Sequence, residues 1–126
     1  MELPDLIAET WPHENQVSLR FALQPEQSCF RGHFDDAPVL AGVIQVDWAM
    51  AFAQQKFQRR WQFRGLQSVK FQRLILPPVE LQLDIEYLPQ RQLLKFSYRD
   101  AENDDSRSHS RSYSSGAAQV TEMGDD

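Results

Sequence analysis

Residues 40–59 place apolar side chains on nearly every side of one helix, and such a helix has to be enclosed by other structure. The stretch is rich in Ala, Gln and Met and contains no proline, a composition that favours helix. Val43, Ile44, Val46, Trp48, Ala49, Met50, Ala51, Phe52 and Ala53 surround its first half. Its last turns become polar and basic, through Gln54, Gln55, Lys56, Gln58, Arg59 and Arg60. Cations at a carboxyl end suit the helix dipole. A single acid, Asp47, interrupts the apolar half. A carboxylate in such surroundings is costly unless it is paired, protonated or used.

What encloses the helix is read from the strands around it. Val17, Leu19, Phe21 and Leu23 alternate with smaller or polar residues, the pattern of a half-buried strand. Residues 29–38 read as a loop. After the helix, residues 65–76 read as a strand ended by Pro77-Pro78. Residues 79–88 alternate most clearly, with Val79, Leu81, Leu83, Ile85 and Tyr87 on one face and Glu80, Gln82, Asp84 and Glu86 on the other. Pro89-Gln90-Arg91 makes a turn, and residues 93–99 return with Leu94, Phe96 and Tyr98 inward. Serine at every second position from Ser106 to Ser114 suits either disorder or a strand with a small-residue face. A final strand running into Ala117-Ala118-Gln119-Val120 is the favoured reading. Strands joined by short turns make an antiparallel sheet. One buried helix against such a sheet is an α+β domain. Residues 1–120 are expected to form this single domain, with residues 121–126 a flexible tail.

With 126 residues the chain is near the commonest size for one domain. The formal net charge is −5, most of it contributed by residues 101–126, so the body is close to neutral. That balance gives no nucleic-acid footprint. A lone cysteine, Cys29, excludes an intrachain disulfide and a cysteine-rich zinc site; it reads as a small core residue. No apolar run approaches the roughly 18 residues of a membrane span, and the amino end lacks the pattern of a signal peptide. A cytoplasmic protein without membrane contact is the expectation.

The residues that carry chemistry lie just before and within the helix. His33 sits in Gly32-His33-Phe34, and Asp47 follows fourteen positions later, with Gly42 between them. A histidine and a carboxyl brought to one pocket make a general base and a general acid. Imidazole has an unperturbed pKa near 6.5 and suits the base; an apolar environment raises a carboxyl pKa and would keep the acid protonated. His13 and His109 read as structural or exposed, Trp48, Phe52 and Phe57 as core, and Asp35 and Asp36 as solvated loop acids.

The segment Gly32-His33-Phe34-x-x-x-Pro38-Val39-Leu40-x-Gly42-Val43-x-x-x-Asp47 resembles the active-site motif of the β-hydroxyacyl-[acyl carrier protein] dehydratases of bacterial type II fatty acid synthesis. The variant Gly-Val-Ile-Gln-Val-Asp-Trp-Ala, with Ser114-Ser115-Gly116 near the end, is similar to a branch associated with aryl-polyene pigment clusters. The resemblance implies the hot-dog fold, in which an antiparallel sheet wraps a central helix. It implies that His33 removes the α-proton of a 3-hydroxyacyl thioester and that Asp47, acting from the partner subunit, protonates the departing hydroxyl. The backbone N–H of Gly42 is expected to hold the thioester carbonyl, and Phe34 and Val43 to contact substrate. It further implies a homodimer or a dimer with a related hot-dog subunit, an acyl carrier protein as partner, and no metal or organic cofactor beyond the phosphopantetheine arm of the substrate. Arg59, Arg60, Arg64 and Lys70 are candidates for docking the acidic carrier.

Three positions depart from the family pattern. Asp35 and Ala41 stand where the family usually has proline, and Ala51 where a glutamine often lies one turn after the acid. Gln54, farther along the same face, is a candidate to replace that glutamine. Two other functions fit the same residues less well: a hot-dog acyl thioesterase, which also places a carboxylate on the central helix, and a non-catalytic acyl-carrier-binding subunit.

Overall fold

The computed structural model describes residues 2–30, 38–101 and 112–123. The elements are β1 (Ala8–His13), β2 (Gln16–Leu23), a short 3-10 turn at Ser28–Phe30, α1 (Gly42–Phe57), β3 (Trp61–Phe71), β4 (Val79–Leu88), β5 (Leu93–Asp100) and β6 (Ser112–Glu122). The six strands form one sheet in the order β1-β2-β4-β5-β6-β3, antiparallel throughout. This is the α+β hot-dog arrangement: one long helix against a single antiparallel sheet.

Alternation decides the core strands. Val17, Leu19, Phe21 and Leu23 on β2, and Leu81, Leu83 and Ile85 on β4, are fully buried. Leu94, Phe96 and Tyr98 on β5 face the same core. Against them α1 buries Trp48, Ala49, Met50, Phe52 and Ala53. Phe21 meets Trp48 edge-on at 5.8 Å and stacks on Phe52 at 6.0 Å. Each large apolar side chain buried this way is worth about 1.5–3 kcal/mol. The helix is also tied at its ends. Lys56 pairs with Glu9 of β1 at 2.7 Å, and Gln58 closes it in the left-handed conformation, its N–H bonded to the Gln54 carbonyl.

The edges of the sheet differ from the sequence expectation. β1 is an exposed strand with Pro12 and no alternation, so no burial pattern announces it; its pairing with β2 forms it. β3 begins at Trp61 and ends at Phe71 instead of spanning residues 65–76. Its side chains are mostly exposed, so the two-residue period is missing there, and its pairing with β6 slips at two points, between Phe63 and Gly65 and between Gln67 and Lys70. Gly65 at the first slip has φ +153°, a backbone state that favours glycine. The expected final strand is present from Ser112 and runs two residues beyond Val120. Residues 106–111 of that expectation lie outside the described residues.

The enclosure of α1 is one-sided. Val43 is 68% exposed, Asp47 is exposed, and Ile44, Val46 and Ala51 are half-buried. Residues 43, 47, 51 and 54 share one helical face. Beside that face lie exposed Phe63, Leu66, Phe71, Leu74 and Leu76. The sheet of one chain therefore covers one side of the helix and leaves the other side apolar and open.

Close packing of the covered side gives a test. Phe96 and Gly116 are paired directly across β5 and β6, and a Cβ at Gly116 would lie 2.9 Å from Phe96 Cζ and 3.1 Å from Val69 Cγ2. Gly116→Ala should lower stability by about 1–3 kcal/mol, the usual cost of overpacking, read as a lower urea midpoint. Adding Phe96→Leu should recover part of that loss.

Candidate active site

Asp47 projects from α1 into a cavity of about 430 Å³ lined by Val46, Met50, Ala51, Gln54, Phe63, Gly65, Leu66 and Ala118. Among the described residues it is the only ionisable one on that wall. The helix supplies the floor, and β3 and β6 supply the facing side. Asp47 also borders a second cavity of about 270 Å³, with Glu2, Ser28, Cys29, Ile44 and Trp48. A further concavity of about 540 Å³ is an open groove lined by Lys70, Asp84, Glu86 and Lys95. It includes no residue of α1.

The burial expected for Asp47 is not supplied by this chain. Its sequence neighbours Val46, Trp48 and Ala49 are apolar, but they radiate to other sides of the helix, and Asp47 itself is exposed. It makes no hydrogen bond to the described residues. The carboxylate is thus free to meet a ligand from the open side.

Gly42 is the first residue of α1. The Ala41 carbonyl accepts from the N–H groups of Ile44 and Gln45, so the amides of Gly42 and Val43 precede the helical bonding. Among the described residues neither amide has an acceptor. A helix start with open N–H groups is suited to a developing oxyanion. Gly42 lies about a turn and a half before Asp47. The ring of Phe71 covers its Cα so closely that a Cβ would come within 2.8 Å of Phe71 Cζ, which is a packing reason for glycine beside the expected catalytic one. Val43 points outward next to this opening. His33 and Phe34 lie outside the described residues.

Gln54 does not stand in for the missing glutamine as a simple partner of Asp47. Its Oε1 accepts the Trp61 N–H at 2.9 Å, joining the end of the helix to the start of β3, while the rest of the side chain lines the Asp47 cavity. Cys29 is half-buried, and burial pushes its thiol upward.

A polar cluster behind the helix start was not singled out from the sequence. Gln45 is 4% exposed; its Nε2 donates to the Leu40 carbonyl at 3.0 Å, and its Oε1 accepts from Ser114 Oγ at 2.7 Å. Tyr98 donates its hydroxyl to the Gln45 carbonyl at 2.7 Å, and burial pushes that phenol well above the usual tyrosine range. The sequence signal for it is a glutamine inside an apolar helix.

The family described as ApeI dehydratase, ApeI-like, matches residues 9–111. The chain belongs to that family. Its fold is similar to the dehydratase heterocomplex ApeI:P from Xenorhabdus doucetiae, at 31% identity and TM-score 0.82 over 95% of this chain and 98% of that one. It is also similar to an uncharacterized protein from Erwinia carotovora subsp. atroseptica, at 33% identity and TM-score 0.81 over 97% and 98% of the two chains. In sequence it is 32% identical over 73 residues to the 3-hydroxyacyl-[acyl-carrier-protein] dehydratase FabZ of Histophilus somni. That match takes in 52% of this chain and 48% of the relative, so the chain spans about half the length of the curated relatives it matches. Among the described residues no helix is long and apolar enough to cross a membrane.

Exposure of Asp47 separates folding from chemistry at this position. Asp47→Asn should leave the urea midpoint and the circular dichroism spectrum unchanged, because the carboxylate holds nothing else in the described fold.

Proposed function

We propose that the protein is a dehydratase acting on 3-hydroxyacyl thioesters of an acyl carrier protein, giving trans-2-enoyl thioesters in fatty acid or aryl-polyene synthesis. The observation that carries this reading is the placement of Asp47. Among the described residues it is the one carboxylate on the wall of an apolar cavity, a short distance along the helix from backbone amides without acceptors.

The chemistry follows from those groups. The amide of Gly42 holds the thioester carbonyl oxygen, where enolate-like charge develops when the α-proton leaves. His33 accepts that proton. Asp47, in its acid form, gives its proton to the C3 hydroxyl as the C–O bond breaks. Water departs, and the electrons of the enolate form the new double bond. His33 then holds one proton more and Asp47 one fewer, and exchange with solvent restores both. The sequence needs no redox or electrophilic cofactor, and the phosphopantetheine arm arrives with the substrate.

The open apolar side of α1 is assigned to a second hot-dog subunit, either a copy of this chain or a related one. Covering Asp47 in this way would remove it from water and close the site around the substrate. The similar ApeI:P of Xenorhabdus doucetiae is a dehydratase heterocomplex, and the exposed Phe63, Leu66, Phe71, Leu74 and Leu76 here are what a subunit seam requires. The acyl carrier protein is assigned to the basic start of β3, at Arg60 just before the strand and Arg64 within it. Arg59 is engaged with Glu122 and Lys70 lies in the groove beside Asp84 and Glu86, so both are secondary.

The test is turnover of a 3-hydroxyacyl carrier thioester. Enoyl absorbance should appear with the wild type, with no release of free thiol. His33→Ala and Asp47→Asn should each reduce the rate by about 10²–10⁴-fold, the usual contribution of a positioned proton donor or acceptor. If the protein pairs with itself and the site spans the seam, mixed dimers of the two variants should regain activity, because one of their sites then carries both wild-type groups. Free thiol in place of enoyl product would mean a thioesterase.

A further inference from the structure

The proton donor and acceptor leave one requirement unmet: something must hold the Gly42 amide still while charge grows on the bound oxygen. Ala41 carries no capping side chain, so the start of the helix is not fixed in the ordinary way. It is fixed from behind. Leu40, two residues before Gly42, is gripped at both backbone groups. Its N–H donates to the Ile75 carbonyl at 3.0 Å, and its C=O accepts from Gln45 Nε2 at 3.0 Å.

Gln45 is in turn fixed by the sheet. Ser114, with no exposed surface, donates to Gln45 Oε1 at 2.7 Å. Tyr98, also fully buried, donates to the Gln45 carbonyl at 2.7 Å. Ser114 on β6 thus orients the side chain of Gln45, Tyr98 on β5 holds its backbone, and Gln45 holds Leu40. A leucine or methionine would fill the same volume without burying an amide. The distinct consequence of glutamine here is the pair of bonds it makes.

We infer that Gln45 is a positioning residue for the oxyanion donor, aiming the Gly42 amide by clamping the Leu40 carbonyl, with Ser114 as the group that orients the clamp. This rests on the dehydratase reading above. Gln45 touches no substrate in this scheme; it acts through the backbone of residues 40–42.

Three substitutions test it in the full-length protein. Gln45→Met keeps the volume and loses both side-chain bonds; kcat should fall about 10- to 100-fold, the scale expected for a displacement of an ångström or less at a reacting group, while KM changes little. Gln45→Glu can still accept from Ser114 but donates to Leu40 only when its carboxyl is protonated. The ratio of its kcat to that of the wild type should therefore rise as pH falls, a dependence that a purely structural role would not create. Ser114→Ala, a removal of one oxygen, should lower kcat by a smaller factor at a temperature where circular dichroism shows it fully folded, and it carries the test if Gln45→Met does not fold. Wild-type turnover with Gln45→Met unaffected, or with activity lost only in proportion to folded protein, overturns the inference alone. In the fallback, unchanged kcat for Ser114→Ala does the same. A wild-type protein that forms no enoyl product overturns the dehydratase reading, and this inference with it.

Discussion

Packing of α1 on one face of the sheet is the constraint from which the rest follows. The helix is apolar over more than half its circumference, and a six-stranded sheet can cover only the side that it faces. Trp48, Phe52 and Ala53 take that side. Val43 and Asp47 are left on the other. The strands pay for little of this at their edges: β1 and β3 are exposed, and β3 holds its pairing to β6 only through two slips. The face that carries Asp47 is thus the one the described residues leave uncovered.

Polar groups are distributed by the same logic. On the covered side the described core admits a small polar set, Gln45, Ser114 and the Tyr98 hydroxyl, and its members satisfy one another or a backbone carbonyl. Buried polar atoms with partners define a geometry instead of adding greatly to stability. On the open side Asp47 meets a cavity whose other walls are apolar or amide. The amides of Gly42 and Val43 sit where these two regimes join. That junction lets a rigid interior direct groups toward a ligand without closing them off.

How far the sequence could be read depended on whether a residue's environment is set by its neighbours in order. On β2 and β4 it is: alternate side chains are buried, so Val17 to Leu23 and Val79 to Tyr87 declared themselves. On β1 it is not. The strand forms because the edge of β2 offers free backbone groups, whatever the side chains are. The same limit misled the reading of Asp47, whose apolar neighbours in order point around the helix and do not surround it. Gln45 was visible as a letter in the motif, but its partners Ser114 and Leu40 are brought to it by the fold.

Chemical identity, then, was a property of the chain as written: an antiparallel sheet with one apolar helix, a carboxylate within that helix, and a glycine at its start, all follow from residue type and local spacing. Orientation was decided only by tertiary structure. Which side of the helix is covered, which cavity receives Asp47, and which serine reaches Gln45 depend on contacts between residues far apart in order. Those contacts are set by packing volume and hydrogen-bond geometry, and neither leaves a periodic mark on a sequence.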